Sequence, residues 1–176
     1  MGREIWFKQI GIFFIYLMAQ VLFFRNLTFF DGSVMMFPYV TFLILLPFGA
    51  NNITLLTIAF VMGFIVDIFY DSIGIHTSAC VFLGFVRYQI MKLTAPSGGY
   101  ELSETPLIGQ MGFGTFVVFI APQVLAHHLL LFCIEAGAWA FIPKALLRGV
   151  LSSMATILVI LAIQYLFYSG FSRRRI

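Results

Sequence analysis

Long apolar runs follow one another along almost the whole chain, and they restrict the possible folds more than any other feature of the sequence. A helix needs about 20 mostly apolar residues to cross a bilayer. The runs are continuous and do not alternate apolar with polar residues, so they predict helices and not the strands of a membrane barrel. The predicted spans are residues 5–24, 34–48, 53–69, 77–91, 107–135 and 145–168.

These runs predict an all-α polytopic membrane protein, with six transmembrane helices in one bundle that forms a single domain over residues 1–176. The composition agrees, since 61% of the residues are hydrophobic and 10% are charged. An ordinary soluble domain has about 25% charged residues. Too few polar side chains are therefore present to cover a soluble core, and the lipid bilayer is the expected surroundings.

The second run is short and contains Pro38 and Pro47, so a re-entrant segment is the alternative to a full crossing. The distribution of cations favours six crossings. On that count Arg25, Lys144 and Arg148 fall on one side of the membrane. The other side has seven cations, which are Arg3, Lys8, Arg87, Lys92, Arg173, Arg174 and Arg175. Cytoplasmic loops carry the excess of Lys and Arg, so both termini are expected in the cytoplasm, and the net charge of +3 needs no nucleic-acid partner.

Two carboxylates end the third predicted span, in the stretch GFIVDIFYDSIGIH (residues 63–76). Ala59, Gly63, Asp67 and Asp71 are spaced by four residues, so they share one face of a helix. Small residues on such a face allow a neighbouring backbone to approach closely. We therefore expect this face to pack against another helix or to bind a partner.

The carboxylate of Asp67 has an unfavourable position. Placing a carboxylate inside a bilayer costs free energy, and the C-terminal end of a helix is already partially negative. In one interpretation Asp67 bonds a neighbouring helix or water, while Asp71 and Ser72 shape the turn and Gly74 adopts a left-handed conformation. In the other, Asp67 binds a partner chain or ligand from the outer side. His76 completes the set of candidate residues on this stretch.

The sequence predicts no catalytic, cofactor or metal site. Asp67, Asp71 and His76 are a poor set of metal ligands, because a site needs three or more well-placed ligands with supporting contacts. His127 and His128 are adjacent, so on a helix they point about 100° apart and cannot chelate one ion together.

Two further polar positions lie in or near predicted spans. His128 and Glu135 are seven residues apart and share a helix face, which suggests a satisfied packing pair near the outer interface, with an intramembrane polar pair as the alternative. Arg87 lies near the cytoplasmic end of its span, and we expect its side chain to extend to the interface.

Residues 57–90, TIAFVMGFIVDIFYDSIGIHTSACVFLGFVRYQI, resemble the central hairpin of MreD, a family of rod-shape-determining inner-membrane proteins of bacteria. The resemblance rests on the spacing of Gly63, Asp67 and Gly74, and on a following apolar helix that ends in Arg87. The small size, the six predicted spans and the basic ends also agree. Asp71 departs from the family, where small or uncharged polar residues often stand at this position.

The resemblance implies a non-enzymatic scaffold of the bacterial elongation machinery in the inner (cytoplasmic) membrane. Such a scaffold binds MreC, belongs to a wider complex with MreB, RodA and its transpeptidase, and helps to direct lateral-wall peptidoglycan synthesis and maintain cell shape. The implied fold is similar to the substrate-binding subunits of energy-coupling-factor transporters. The alternative is therefore a small-molecule-binding subunit of a membrane transporter, with Asp67, His76 or Glu135 as polar contacts. An intramembrane enzyme is a third reading.

Overall fold

The structure is a computed structural model that describes residues 3–30 and 32–168. The basic residues Arg173, Arg174 and Arg175, on which part of the predicted orientation depends, lie outside the described residues. The elements in chain order are α1 (Arg3–Leu22), a 3-10 turn (Phe24–Asn26), β1 (Thr28–Phe29), β2 (Val34–Met35), α2 (Val40–Ile44), α3 (Asn52–Tyr70), α4 (Ile75–Thr94), α5 (Ile108–Met111), α6 (Phe113–Ala136), a second 3-10 turn (Trp139–Phe141) and α7 (Ile142–Tyr168).

The protein is an all-α membrane protein with several apolar helices, as the sequence predicts. Four helical stretches in the described residues are long and apolar enough to cross a membrane, and they are Phe7–Asn26, Asn52–Tyr70, Phe113–Ala136 and Trp139–Tyr168. The helix α4 is similar in length to α3 but is less apolar. The two short strands pair antiparallel in a small hairpin between α1 and α2.

Helices α3 and α4 form a closely packed hairpin. The side chain of Asn51 caps the start of α3 by accepting a 2.7 Å hydrogen bond from the backbone N–H of Thr54. The predicted close approach forms at Gly63, where an added Cβ would lie 2.5 Å from Cα of Thr77. One turn earlier Ala59 is fully buried and packs toward Gly84 of α4. The small residues on this face therefore set the distance between the two helices.

The expected helix over residues 34–48 is not observed. Only Val40–Ile44 is helical, and the residues on either side are extended or in turns. Pro38 and Pro47 lack the backbone N–H that a longer helix would need, which explains why α2 is short. Residues 36–48 are all buried within the bundle. Irregular backbone at membrane depth is tolerated only in such a position, shielded from lipid by protein.

The bundle has two ends, which contacts between loops define. At the hairpin end, the turn after α1 meets the α3–α4 turn through Arg25 and Asp71, whose side chains are 3.7 Å apart. The linker end is the end that contains the connection between α4 and α5, residues 95–107. There the rings of Phe48 and Tyr100 stack with centroids 3.9 Å apart, and the Phe48 N–H donates to the carbonyl of Glu104 at 2.9 Å.

Met36 lies near the end of α3, because the side chain of Gln20 donates both to its carbonyl and to the hydroxyl of Tyr70. The segment of residues 36–48, which we call the core segment, therefore runs from the hairpin end to the linker end.

The predicted span over 107–135 is divided into two helices. Gly112, with a φ of +75°, separates the single turn of α5 from α6. Helix α6 continues through Pro122 to Ala136. The start of α5 is tied to the end of α7, because the Ile108 N–H donates to Oε1 of Gln164 at 3.1 Å.

Candidate functional site

The carboxylate of Asp67 accepts five hydrogen bonds from the chain that follows it. Oδ1 accepts from Oγ of Ser72 and from the backbone N–H of His76, both at 2.9 Å. Oδ2 accepts from the N–H of Gly74 at 3.1 Å and from the N–H and hydroxyl of Thr77 at 2.9 and 2.5 Å. The residue is 4% exposed, so these donors replace water almost completely.

The donors around Asp67 include the first N–H groups of α4, so this side chain at the end of α3 caps the helix that follows. Those N–H groups have no partner inside their own helix, and the N-terminal end of a helix carries partial positive charge. Hydrogen bonds to a carboxylate are also stronger than neutral ones. These hydrogen bonds within the hairpin therefore offset the free-energy cost of burying the Asp67 carboxylate, which the sequence analysis expected some contact to do.

Asp71 and Gly74 shape the turn between the two helices, as one interpretation of the sequence expected. Asp71 ends α3 in the left-handed conformation with a φ of +53°, and Gly74 precedes α4 with a φ of +84°. The Asp71 side chain is 89% exposed and lies beside Arg25. An exposed pair at that separation contributes little to stability.

His76 belongs to a buried polar cluster that the sequence analysis did not identify. Its Nδ1 lies 2.9 Å from the hydroxyl of Tyr39, and the same hydroxyl lies 3.0 Å from Nε2 of His127. The Sγ of Cys80 is 3.6 Å from that hydroxyl. All four side chains are buried. Cys80 lies four residues after His76 on α4, which is the one signal of the cluster in the sequence.

The chemistry of this cluster follows from its shared hydroxyl. A tyrosine hydroxyl has one hydrogen to donate, so Tyr39 donates to one imidazole and accepts from the other. Nδ1 of His127 is buried and has no hydrogen-bond partner among the described residues. Within those residues, no group of three or more His, Cys, Asp or Glu side chains is arranged to hold a metal ion.

Arg87 does not extend to the interface, so that expectation is wrong. The side chain is 1% exposed and turns toward the core segment. Its Nε donates to the carbonyl of Ile44 at 3.1 Å, and its Nη2 donates to the carbonyl of Leu46. These carbonyls lie at and beyond the end of α2, where the helix leaves them without internal partners. The guanidinium therefore stabilises irregular backbone deep in the bundle.

The expected pair of His128 and Glu135 does not form. Nε2 of His128 lies 2.9 Å from the hydroxyl of Thr156 on α7, and its Nδ1 lies 2.8 Å from the carbonyl of Val124. Glu135 instead lies 3.4 Å from Arg148. His127 and His128 contact different partners, as their predicted directions require.

An apolar groove opens between α1 and α3 on the outside of the bundle. It encloses about 250 Å³ and is lined by Gln9, Ile10, Phe13, Phe14, Phe42, Thr57, Ile58 and Val61. Phe42 of the core segment forms part of the groove wall, and it is almost fully buried by its neighbours. Phe14 and Val61 remain partly exposed. We call this feature the α1–α3 groove.

Comparison of the chain with family models, with curated proteins and with solved structures finds no match.

Proposed function

We propose that this protein is a non-enzymatic membrane scaffold of the bacterial elongation machinery, the function that the resemblance to MreD implies. In this proposal it binds MreC in the inner membrane, in a wider complex with MreB, RodA and its transpeptidase. It thereby helps to direct lateral-wall peptidoglycan synthesis and to maintain cell shape.

The observation that carries the proposal is the α1–α3 groove. A partner with one transmembrane helix needs a lipid-facing surface where side chains of two helices leave space between them. The groove has that form, and the surface that lines it is entirely apolar. An apolar transmembrane helix can fill such a space, because membrane helices associate through close packing of their side chains.

Two buried polar groups support the same proposal, because the Asp67 carboxylate and the Tyr39 hydroxyl already have partners inside the chain. The Asp67 carboxylate has five donors, and the hydroxyl of Tyr39 is shared by His76 and His127. A small-molecule-binding subunit would have to open these contacts to offer them to a ligand. The scaffold requires no such opening.

The proposed orientation has six crossings and both termini in the cytoplasm. It counts α4 and the core segment as crossings in addition to the four apolar helices. Lys8 and Lys92 then lie at the cytoplasmic linker end, and Arg25, Lys144 and Arg148 lie at the outer hairpin end. Arg87 no longer counts as a surface charge on the cytoplasmic side, because it is buried.

The experiment is depletion of the protein in its native host, with scoring of cell shape and of the proteins that the tagged chain recovers. We expect rounded cells and recovery of MreC. Val61→Trp fills the α1–α3 groove and should reduce recovery of MreC. Phe64→Trp is the matched control, because Phe64 is exposed on α3 but does not line the groove.

Equal recovery of MreC by the Val61→Trp and Phe64→Trp variants would contradict the groove as its binding surface. Normal cell shape with lost uptake of a small nutrient would contradict the scaffold and favour the transporter subunit.

A further inference from the structure

Two cations lie on the first turns of α7, at the hairpin end of the bundle. Lys144 and Arg148 are four residues apart, so their side chains leave the same face of the helix. They contribute to a cavity of about 210 Å³ between α6 and α7. Its lining residues are Phe132, Glu135, Ala136, Phe141, Lys144, Ala145 and Arg148. Glu135 is the single carboxylate among them, so the lining carries a net positive charge.

The N–H donors of Arg148 are only weakly bonded by the rest of the chain. Nη1 lies 3.4 Å from Oε2 of Glu135, and Nη2 lies 3.4 Å from the carbonyl of Gly32. Both contacts are long for charge-assisted hydrogen bonds. Nε is buried and has no hydrogen-bond partner in the part of the chain that the structure describes. The guanidinium is held in place over the ring of Phe132, at 4.5 Å from its centroid.

Lys144 is exposed and makes no polar contact with the described residues. A guanidinium offers five N–H donors in a planar fork, and an ammonium adds three more. Together the two side chains can satisfy the oxygens of one anionic group in the cavity. Two oxygens of a tetrahedral phosphate can accept together from the planar fork of an Arg guanidinium.

An apolar groove lies beside the same α6–α7 turn. It encloses about 450 Å³ and is lined by Cys133, Ile134, Gly137, Ala138, Trp139 and Ile142. Trp139 is 90% exposed. Exposed Trp residues concentrate at the level of lipid headgroups in membrane proteins. This turn therefore has a cationic cavity and an apolar groove as neighbours.

We propose that the α6–α7 turn binds an anionic phospholipid, with the phosphate at Lys144 and Arg148 and an acyl chain in the groove beside Trp139. The two parts of the site match the two parts of such a lipid. Basic pockets between transmembrane helices recognise anionic headgroups in this way. A free phosphate would satisfy the same cations but would leave the apolar groove unused, and the test separates the two sources.

The test uses Trp139 as its reporter. The chain contains two tryptophans, so Trp6→Phe leaves Trp139 as the single one. The full chain is reconstituted in bilayers of phosphatidylcholine and phosphatidylglycerol, with one or the other lipid brominated in its acyl chains to quench fluorescence. We expect stronger quenching by brominated phosphatidylglycerol at equal mole fraction. Loss of one basic residue beside anionic lipid should weaken this preference about fivefold.

The variants Lys144→Gln and Arg148→Gln should each show that loss, and Lys144→Arg should retain the preference. Lys92→Gln is the control, because Lys92 is in the last turn of α4 at the opposite end of the bundle. Arg148 also contacts Gly32 and Glu135, so its variant has a possible effect on folding. The exposed Lys144 has no such contacts, and its variant carries the test if Arg148→Gln does not fold.

Two results in the absence of phosphate would overturn the proposal, and a third can come from added phosphate. One is equal quenching by the two brominated lipids, and the other is the same preference in Lys144→Gln as in Lys92→Gln. Inorganic phosphate is then added at constant ionic strength. A preference that persists supports the lipid, whereas a preference that disappears assigns the cations to free phosphate and overturns the lipid assignment.

Discussion

The α3–α4 turn and the core segment both place backbone polar groups inside an apolar bundle, but they satisfy them in different ways. At the turn, a single carboxylate accepts most of the hydrogen bonds. Asp67 accepts from groups five to ten residues further along the chain. The turn therefore contains the acceptor for its own backbone N–H groups.

The core segment depends on side chains from three other helices. Gln20 of α1 donates to the carbonyl of Met36 at 3.2 Å. Thr156 of α7 accepts from the N–H of Phe37 at 3.1 Å. Arg87 of α4 donates to two carbonyls near the end of α2. These partners are up to 119 residues apart in the chain, so the segment takes its path only when the bundle has assembled.

The difference shows how a membrane protein can contain a largely non-helical segment that is buried inside its bundle. Helices satisfy their own backbone, whereas irregular segments must find donors and acceptors on their neighbours. In this protein the neighbours supply Arg87, Gln20 and the hydroxyl of Thr156 at places where the segment lacks partners. Substitutions far from the core segment in the sequence should therefore destabilise it. The α3–α4 turn should instead be destabilised by substitutions within the turn itself.

The largest effect is expected for Arg87→Met. The variant leaves two buried carbonyls without their donors, and each such group costs about 1–3 kcal/mol. We expect the free energy of unfolding to fall by about 4 kcal/mol on that basis. Denaturant titration in detergent micelles measures this. Lys92→Met removes an exposed cation from the same helix and should change little. Equal stability of the two variants would show that the core segment does not depend on Arg87.

The second-largest loss in the free energy of unfolding is expected for Gly63→Ala, which tests the close contact between α3 and α4. The new Cβ would meet the backbone of Thr77 at 2.5 Å, so the two helices must move apart. Such overpacking costs about 1–3 kcal/mol. Gly11→Ala is the matched control in α1, because nothing lies within 4 Å of the added Cβ there. If the two variants unfold at the same denaturant concentration, the close α3–α4 contact is wrongly assigned.

A smaller loss is expected for Asp67→Ala, which removes the cap of α4. Ser72, Gly74 and Thr77 are only partly buried, so their freed donors can bond water. Loss of an N-terminal cap costs about 0.5–2 kcal/mol. Asp67→Asn should lose less, since one acceptor oxygen remains. Recovery of MreC, normalised to the amount of folded protein, should stay unchanged in both variants. The hypothesis that Asp67 binds a partner predicts the reverse, with normal stability and reduced recovery.

The smallest effect belongs to Asp71→Asn. The carboxylate is largely exposed, and its pair with Arg25 is long. Asn also tolerates the left-handed conformation of this position. We expect the free energy of unfolding to change by less than about 0.5 kcal/mol. A clear loss in the same titration would mean that the pair with Arg25 contributes to the turn, and Arg25→Gln would then show an equal loss.

The hairpin was predictable because its contacts are local. The four-residue spacing of Ala59 and Gly63 indicates a packing face, and the cost of Asp67 requires a partner nearby. The left-handed conformation of Gly74 follows from the turn that these residues must make. What spacing could not decide was whether the partner of Asp67 is the next helix or another chain.

Other polar contacts, outside the α3–α4 hairpin, join distant parts of the chain. The spacing of residues in the sequence does not indicate such contacts. In the sequence, Arg87 looks like any cation near the end of a span. Only the structure shows that carbonyls of the core segment lie beside it. His128 shares a helix face with Glu135, but Thr156 of α7 occupies its Nε2 instead. The junction of Tyr39, His76 and His127 joins three separate stretches of chain. A single sequence indicates that such residues need partners without indicating which ones.

The most direct test of the account asks whether the core segment connects the two sides of the membrane. Thr28→Cys and Asn52→Cys place single exposed thiols before and after the segment, in a chain where Cys80→Ala and Cys133→Ser remove the native ones. A membrane-impermeant maleimide is applied to intact cells and to inverted vesicles. The account predicts that Thr28→Cys reacts from the outside and Asn52→Cys from the cytoplasmic side. Reaction of both thiols from one side would mean that the segment is re-entrant, and it would contradict both the crossing and the shared location of the termini.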